Sequence, residues 1–411
     1  MYDVAAIRRQ FPMLAPGRTV SGHPLVYLDN SATTFKPQRV IDAVTGFYTD
    51  YTSNVHRGDY QLAFKADQAY DGVRKKVAAF IHCDPDEVVY TSGSTGSLNL
   101  VAYGYGQKVL KEGDVVLSTL TEHASDILPW FRVCEKTGAK VEYIPLDAEG
   151  RVTVENFQQA LHPGVKIVAL TAVSNVLGTI TPIREICALA HQAGAVVSVD
   201  GAQSVPHLKT DVRDLDCDFL AFSAHKLCGP SGTGVLYGKK ALLQQMDPYL
   251  LGGDSNARFN SHGDLILKEP PVKFEAGTPN IEGVIGMGAA IDFLQEVGMD
   301  AIAEHERQLR SYLMERLSTL DNLTIYNPHG DTGIVSFNVK GIFAQDAAGY
   351  LASQGICVRS GNHCAKMLVE FLGTDASIRA SFYLYNTEAE MDALVKALSG
   401  CTLEKCVGIF F

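Results

Sequence analysis

From about residue 25 to residue 240, short apolar runs alternate with stretches whose apolar residues recur at helical spacing. The runs fall at 26–28, 88–91, 114–118, 141–145, 167–171, 196–200, 219–223 and 234–237. They are nearly continuous in apolar character rather than alternating with polar residues. Strands of that kind are buried on both faces, as in a largely parallel sheet covered by helices on each side. Between the runs, residues 61–81 set Leu62, Ala66, Ala69, Tyr70, Val73 and Val77 on one helical face. Residues 182–193 open on Pro182 and stop at Gly194, the asymmetry expected of a helix. The expected fold class is therefore α/β, with a large domain built on a mostly parallel sheet.

After residue 282 the texture changes. Long helical patterns at 283–297 and 300–320 precede strand patterns at 323–326 and 333–339. A last helix is announced by the capping box Thr387-Glu388-Ala389-Glu390 and ends at Gly400. The expected division is a large domain over 25–281 and a smaller α+β domain over 282–411, which residues 1–24 join and which carries the cysteine loop. A chain of 411 residues suffices for both.

The net charge of −11 argues against a nucleic-acid partner, which would favour a basic face. No apolar stretch approaches the ~18 residues of a membrane span. The first twenty residues lack the apolar centre of a secretory signal, so a cytoplasmic location is expected. The nine cysteines are odd in number and form no C-x-x-C pair, which fits reduced thiols and neither a disulfide framework nor a bound metal.

Five places carry chemistry. Ser223-Ala224-His225-Lys226 closes an apolar run, and a lysine there is costly without a partner or a task. Asp200 ends another such run. A covalently held aldehyde cofactor with a ring nitrogen needs both groups: Lys226 for attachment and Asp200 to keep the nitrogen protonated. Gln203, on the next turn, can donate to the ring oxygen. Taken alone, Asp200 would read as a helix cap. Ser92-Gly93-Ser94-Thr95-Gly96 sits between a strand and a helix and offers backbone N–H groups to a phosphate. It also looks like the phosphate loop of adenylate-forming ligases, although Ser97-Leu98-Asn99 stands where those have proline and lysine. His123 follows a strand and is suited either to stacking on a cofactor and moving protons or to solvation. Cys364, in Arg359-Ser360-Gly361-Asn362-His363-Cys364, has a basic and an imidazole neighbour that favour thiolate. Arg359 and Arg379 suit either bidentate binding of a substrate carboxylate or structural ion pairs.

Together these motifs resemble the group II, Suf-type cysteine desulfurases within the class V aminotransferase-like family of fold-type I pyridoxal-phosphate enzymes. The resemblance runs nearly end to end. It includes Tyr27-Leu28-Asp29-Asn30-Ser31-Ala32-Thr33-Thr34, Asn54-Val55-His56-Arg57-Gly58, residues 223–234, 274–280, 359–365 and 379–386. The short cysteine loop points to group II, since group I loops are longer and serine-rich.

The resemblance implies conversion of L-cysteine to L-alanine with transfer of sulfur to Cys364 as a persulfide, for iron–sulfur cluster assembly; selenocysteine lyase is the alternative. It implies pyridoxal 5'-phosphate attached to Lys226, with Asp200 at the ring nitrogen, Gln203 at the ring oxygen and His123 stacked on the ring. Thr95, Ser223 and His225 would bind the phosphate, and Thr278 would reach the phosphate held by the other subunit of a homodimer. Asn175 and Arg379 would hold the substrate carboxylate, with Arg359 nearby. A SufE-like or SufU-like protein would accept the sulfur. Two departures stand out: Gly96 replaces the family's frequent Glu, and residues 401–411 form an unusual apolar tail containing Cys401 and Cys406. That tail is expected to dock on the small domain rather than relay sulfur.

Overall fold

A computed structural model describes residues 2–409. Its centre is a seven-stranded sheet: β1 (Val88–Thr91), β2 (Val115–Ser118), β3 (Lys140–Tyr143), β4 (Val165–Thr171), β5 (Val196–Asp200), β6 (Phe219–Ser223) and β7 (Gly234–Gly238). The order across the sheet is β1-β7-β6-β5-β4-β2-β3. β7 runs antiparallel to β1 and to β6, and the remaining pairs are parallel. Successive residues of one strand feed opposite cores. Val88 and Tyr90 join one apolar cluster and Val89 the other; Val235 and Tyr237 face away from Leu236 in the same way. Both faces of the inner strands are thus covered, which is why they read as continuous apolar runs. The run at 141–145, expected as another such strand, is different: it lies at the sheet edge as β3, and Lys140, Glu142 and Tyr143 are exposed.

The helices that position the site are α1 (Gln38–Asp50), α2 (Gln61–Ile81), α3 (Ser94–Val101), α4 (Ala124–Thr137) and α5 (Ile183–Gln192). A long helix, α6 (Ile281–Val297), packs on α1 and α2, and its apolar residues belong to the large core. The second core starts beyond it. Leu309, Leu313 and Leu317 of α7 (Met299–Leu317) pack beneath a four-stranded antiparallel sheet of β8 (Leu323–Ile325), β9 (Ile334–Val339), β10 (Arg359–Gly361) and β11 (Ser377–Ser381), ordered β8-β9-β11-β10. With α8 (Ala344–Ser353) and α9 (Glu388–Ser399) these strands make the smaller α+β body. The helix α6, expected on the small side of residue 282, therefore lies on the large core.

The apolar run at 26–28 is expected with the other parallel strands. It does not join the large sheet. Val26–Tyr27 pairs in parallel with Ile356–Cys357, and Val26 and Leu28 are buried with Leu309, Val335 and Ala380 of the small core. An apolar run reports that it is buried but not which core buries it.

The helix after the capping box is not the last. α10 (Leu403–Gly408) follows, folding back on α8 and burying Cys401 and Cys406 in the small core with their sulfurs 3.6 Å apart. This places the tail up to residue 409; residues 410 and 411 lie outside the described residues.

Candidate active site

Open α/β sheets bind ligands beyond the carboxyl ends of their strands. Here β1, β2, β4, β5 and β6 all end at one cavity of about 420 Å³, and residues of the small body form its other wall. Of the twelve residues singled out from sequence, eleven line it: Thr95, His123, Asn175, Asp200, Gln203, Ser223, His225, Lys226, Arg359, Cys364 and Arg379. Thr278 does not. It is exposed in an adjoining hollow with Tyr249 and Asn280, where its hydroxyl accepts from Asn54 Nδ2 at 3.4 Å.

Lys226 follows β6 in the short helical turn Ala224–Lys226. Burial drives its ammonium down to about 8, against the opposing pull of Asp200. Arg379 and Arg359 push in the same direction as burial. Asp200 ends β5, next to Ala221 of β6, and accepts a hydrogen bond from Ala202 N at 2.9 Å. Burial raises its carboxyl and the Lys226 charge lowers it. Gln203 donates from Nε2 to Ser31 O at 2.9 Å, while its Oε1 is buried without a partner, as is Ser31 Oγ.

The glycine loop packs directly on β6. Ser223 Oγ accepts from Ser94 N at 2.7 Å and donates to Ser94 Oγ at 3.0 Å. Gly93 has φ 144, and a Cβ there would sit 3.2 Å from Ser223 Oγ. The loop is a cradle at the start of α3 that a side chain at 93 would fill. Thr95 Oγ1 shares a hydrogen bond with Ser125 Oγ at 2.7 Å. At position 96 a Cβ would lie 2.8 Å from Ser92 Oγ, so this loop conformation suits the glycine found there.

His123 caps α4. Its Nδ1 accepts from Ser125 N at 3.1 Å, which leaves the proton of the neutral ring on Nε2. Burial, then Lys226, Arg379 and Arg359, hold its pKa down at about 4. His225 is held down to about 4 by burial, Lys226 and Lys36. Both imidazoles are neutral near pH 7 and serve as hydrogen-bonding groups rather than cations.

Arg359 of β10 and Arg379 of β11 are register partners across the antiparallel pair. Arg379 is buried and donates to Asn175 O at 2.9 Å and to Asp29 Oδ1 at 3.2 Å, with its Nε unpartnered. Arg359 is exposed. Two guanidiniums opposite each other repel, and the arrangement favours an anion between them.

Cys364 is the one exposed cysteine of the nine. Gly361, His363 and Cys364 have φ of 121, 51 and 57. Two consecutive non-glycine residues in the left-handed region are strained and need outside support. The large body supplies it: Asn175 Nδ2 donates to His363 O at 2.8 Å and Ala124 N to Cys364 O at 2.7 Å. His363 Nε2 donates to Ser377 O at 3.1 Å, and burial and Arg379 hold its ring down at about 3. The imidazole beside Cys364 is therefore uncharged, so the positive charge acting on the sulfur comes from Arg379 and Lys226 instead.

The aminotransferase class-V family profile matches residues 26–394. The chain belongs to the class-V aminotransferase family. This class-V chain is 48% identical over 393 residues to a probable cysteine desulfurase of Halalkalibacterium halodurans, covering 95% of the chain and 96% of the relative. It is 44% identical over 412 residues to a cysteine desulfurase of Haloferax volcanii, with 96% of each covered. Its fold matches the crystal structure of a cysteine desulfurase from Escherichia coli at TM-score 0.90 and 36% identity, covering 100% of this chain and 99% of that one. An apo cysteine desulfurase from Thermococcus onnurineus matches at TM-score 0.91 and 38% identity, covering 96% and 97%.

Sequence reasoning missed several residues of this class-V site. Asp29, bonded to Arg379, and Ser31, bonded to Gln203 through its carbonyl, were legible only as part of a motif. Ser377 and Ala124 hold the cysteine loop through backbone atoms, for which side-chain patterns give no signal.

Proposed function

We propose that this chain is a pyridoxal-phosphate-dependent cysteine desulfurase, converting L-cysteine to L-alanine and placing the removed sulfur on Cys364. The observation that carries the reading is the meeting of three groups in one cavity: Lys226 with Asp200, the Arg359–Arg379 pair, and the exposed Cys364. The cavity fits the cofactor. It holds a phosphate-sized cradle at Gly93, a buried carboxylate beside the lysine, and a buried Gln203 Oε1 without a partner.

Lys226 would hold the cofactor's aldehyde carbon, Asp200 its ring nitrogen, and Thr95, Ser223 and His225 its phosphate, with His123 against the ring. Bound there, the cofactor supplies an electron sink for charge developing on the substrate's Cα. The residues supply the rest. Arg379, with Asn175 and Arg359, binds the substrate carboxylate and so orients Cα toward Lys226. The free Lys226 amine would take the Cα proton; a pKa of about 8 suits that exchange. His123 offers its Nε2 proton within the cavity. Cys364 thiolate attacks the substrate sulfur: the C–S bond breaks, an S–S bond forms, and the substrate's Cβ gains a proton. The balance is one thiol plus cysteine giving one persulfide plus alanine.

Turnover of L-cysteine by the purified, cofactor-loaded chain tests the reading. Alanine and persulfide mapped to Cys364 are expected in equal amounts over the first turnover. A Cys364→Ala variant that makes alanine as fast as the wild type overturns the persulfide route.

The wider setting belongs to the same proposal: a homodimer, a cytoplasmic location, and a SufE-like or SufU-like acceptor feeding iron–sulfur cluster assembly. The exposed position of Thr278 supports the dimer, as do the exposed Tyr249, Leu250, Leu251, Phe259, Leu265 and Ile266 around the hairpin of Asn256–Phe259 and Leu265–Leu267. Light scattering that finds a monomer at micromolar concentration overturns the dimer. Among the described residues no helix is long and apolar enough to cross a membrane.

A further inference from the structure

We propose that Lys36 is a positioning residue for Lys226: with Thr33 and Thr34 it pins the peptide joining His225 to Lys226, and so fixes where the lysine amine stands in the cavity. The proposal rests on the reading above that Lys226 holds the cofactor.

The turn Ala224–Lys226 satisfies its own backbone through the Ala224 carbonyl, which accepts from Leu227 N at 3.0 Å and Gly229 N at 2.8 Å. The next carbonyl, that of His225, draws its donors from a segment nearly two hundred residues away. Thr34 N donates to it at 3.0 Å, Thr33 Oγ1 at 3.1 Å, Thr34 Oγ1 at 3.1 Å and Lys36 Nζ at 3.3 Å. Lys36 Nζ also donates to Thr34 O and, at 3.3 Å, to Thr33 Oγ1. The ammonium therefore braces the two threonines as well as the carbonyl they share. Thr34 Oγ1 accepts in turn from Cys228 N at 2.9 Å, which closes the clamp on the far side of Lys226.

The choice of a lysine is informative. Two threonines and a backbone N–H already satisfy the carbonyl, so the ammonium is not needed to avoid an orphaned acceptor. Lys36 is half-buried, burial lowers its pKa, and no carboxylate is among the groups acting on it. A cation kept there at that cost adds rigidity and positive charge beside His225 and Lys226. The other titratable and charged groups facing this region are Asp200, Arg379, Arg359, Cys364 and His123 around Lys226, and His225 and Cys228 near Lys36, the Cys228 thiol being held neutral by burial.

The clamp is also tied to the small body. Asn30 Nδ2 donates to Ser381 O at 2.8 Å, and Phe35 N to Tyr385 Oη at 3.1 Å. Ser381 ends the strand that carries Arg379. The segment from Asn30 to Lys36 thus sets Lys226 in register with the arginine expected to hold the substrate.

The test loads wild type, Lys36→Met, Lys36→Gln and Lys36→Arg with pyridoxal phosphate. It reads the pH midpoint of the visible band and the rate at which cofactor leaves into an excess of an aldehyde scavenger. Removing a cation makes nearby cations easier to protonate, so in Lys36→Met the midpoint moves up by about half a pH unit. Loss of the bracing hydrogen bonds from Lys36 speeds cofactor release by about five-fold. Lys36→Arg keeps both readings near wild type. Lys36→Gln keeps an N–H donor without the charge and shows the midpoint shift; it carries the test if Lys36→Met does not fold. Wild-type midpoints and release rates in the Met and Gln variants overturn the proposal, as does an Arg variant as altered as the Met variant. A wild type with no band bleached by borohydride overturns the cofactor reading and this proposal with it. A normal wild-type band with unshifted variants overturns this proposal alone.

Discussion

Arg359 and Arg379 face each other across the antiparallel pair β10–β11, and only the buried Arg379 is bonded to a carboxylate, Asp29. The pair is a ready seat for a carboxylate between two cations. Replacing Arg359 by Ala is expected to raise KM for cysteine about ten-fold, the worth of a charged hydrogen bond. Arg379→Ala costs more, because it also strands Asp29 in a half-buried setting. Steady-state alanine production checks both. An unchanged KM in each variant removes the arginines from substrate binding.

Lys226 titrates near 8 because burial outweighs its attraction to Asp200. The neutral amine is the form that attaches to an aldehyde, and its fraction grows as pH rises through that value. In the cofactor-free chain the rate of pyridoxal phosphate attachment should therefore climb with pH and level off above about 8. Asp200→Asn removes the group that supports the charged form, so the plateau should begin at lower pH. Stopped-flow absorbance across pH 6 to 10, roughly the range in which a buried lysine titrates, reads the direction.

Asn175 grips the cysteine loop rather than standing free: its amide donates to His363 O at 2.8 Å. Removing that donor loosens two left-handed residues and leaves Ala124 N, bonded to Cys364 O, as the large body's remaining hold on them. Asn175→Ala is expected to raise the alkylation rate of Cys364 by about three- to ten-fold, the release of ~1 kcal/mol of backbone strain. Persulfide formation per turnover should fall at the same time. Timed iodoacetamide labelling with peptide mass mapping distinguishes a freed loop from an unaffected one.

Gly93 allows the glycine loop proposed to hold the phosphate to touch β6. With φ 144 and Ser223 Oγ 3.2 Å from where a Cβ would stand, Gly93→Ala both strains the backbone and fills the cradle. Cofactor retention after gel filtration should drop sharply, while the circular dichroism spectrum stays that of the wild type. Full retention would show that the phosphate sits elsewhere.

Cys401 and Cys406 are buried against the small core, and burial pushes the Cys401 thiol up to about 12. A thiol of that kind packs rather than reacts. Cys401→Ala and Cys406→Ala should leave alanine yield unchanged and lower thermal stability by ~1–3 kcal/mol through lost packing. Persulfide found at either position after turnover would contradict this.

The inner strands of the large sheet were legible because burial on both faces leaves an apolar run, which the exposed edge strand β3 does not show; the Lys226–Asp200 pair was legible because charge at the end of such runs needs a reason. The run at 26–28 was legible as buried but not as a partner of Ile356–Cys357, since periodicity carries no information about which sheet a strand joins. The helix α6 was found as a helix, yet its place on the large core depends on contacts with α1 and α2 that no local pattern encodes. In the site, side-chain chemistry was readable and backbone chemistry was not. Cys364 and Arg379 stood out; the carbonyls of His225, His363 and Cys364, on which the geometry turns, did not.

The bridge between Asp29 and Ser381 joins segments about 350 positions apart. During synthesis the chain exits the ribosome from its beginning, so Lys226 and Asp200 emerge while the strand destined to complete their cavity is still being decoded. Until Ser381 appears, the segment from Asp29 to Lys36 has its bonds to the His225 carbonyl but not those to Ser381 and Arg379. The cavity is thereby completed late: its last lining residue, Arg379, lies on the strand that ends at Ser381.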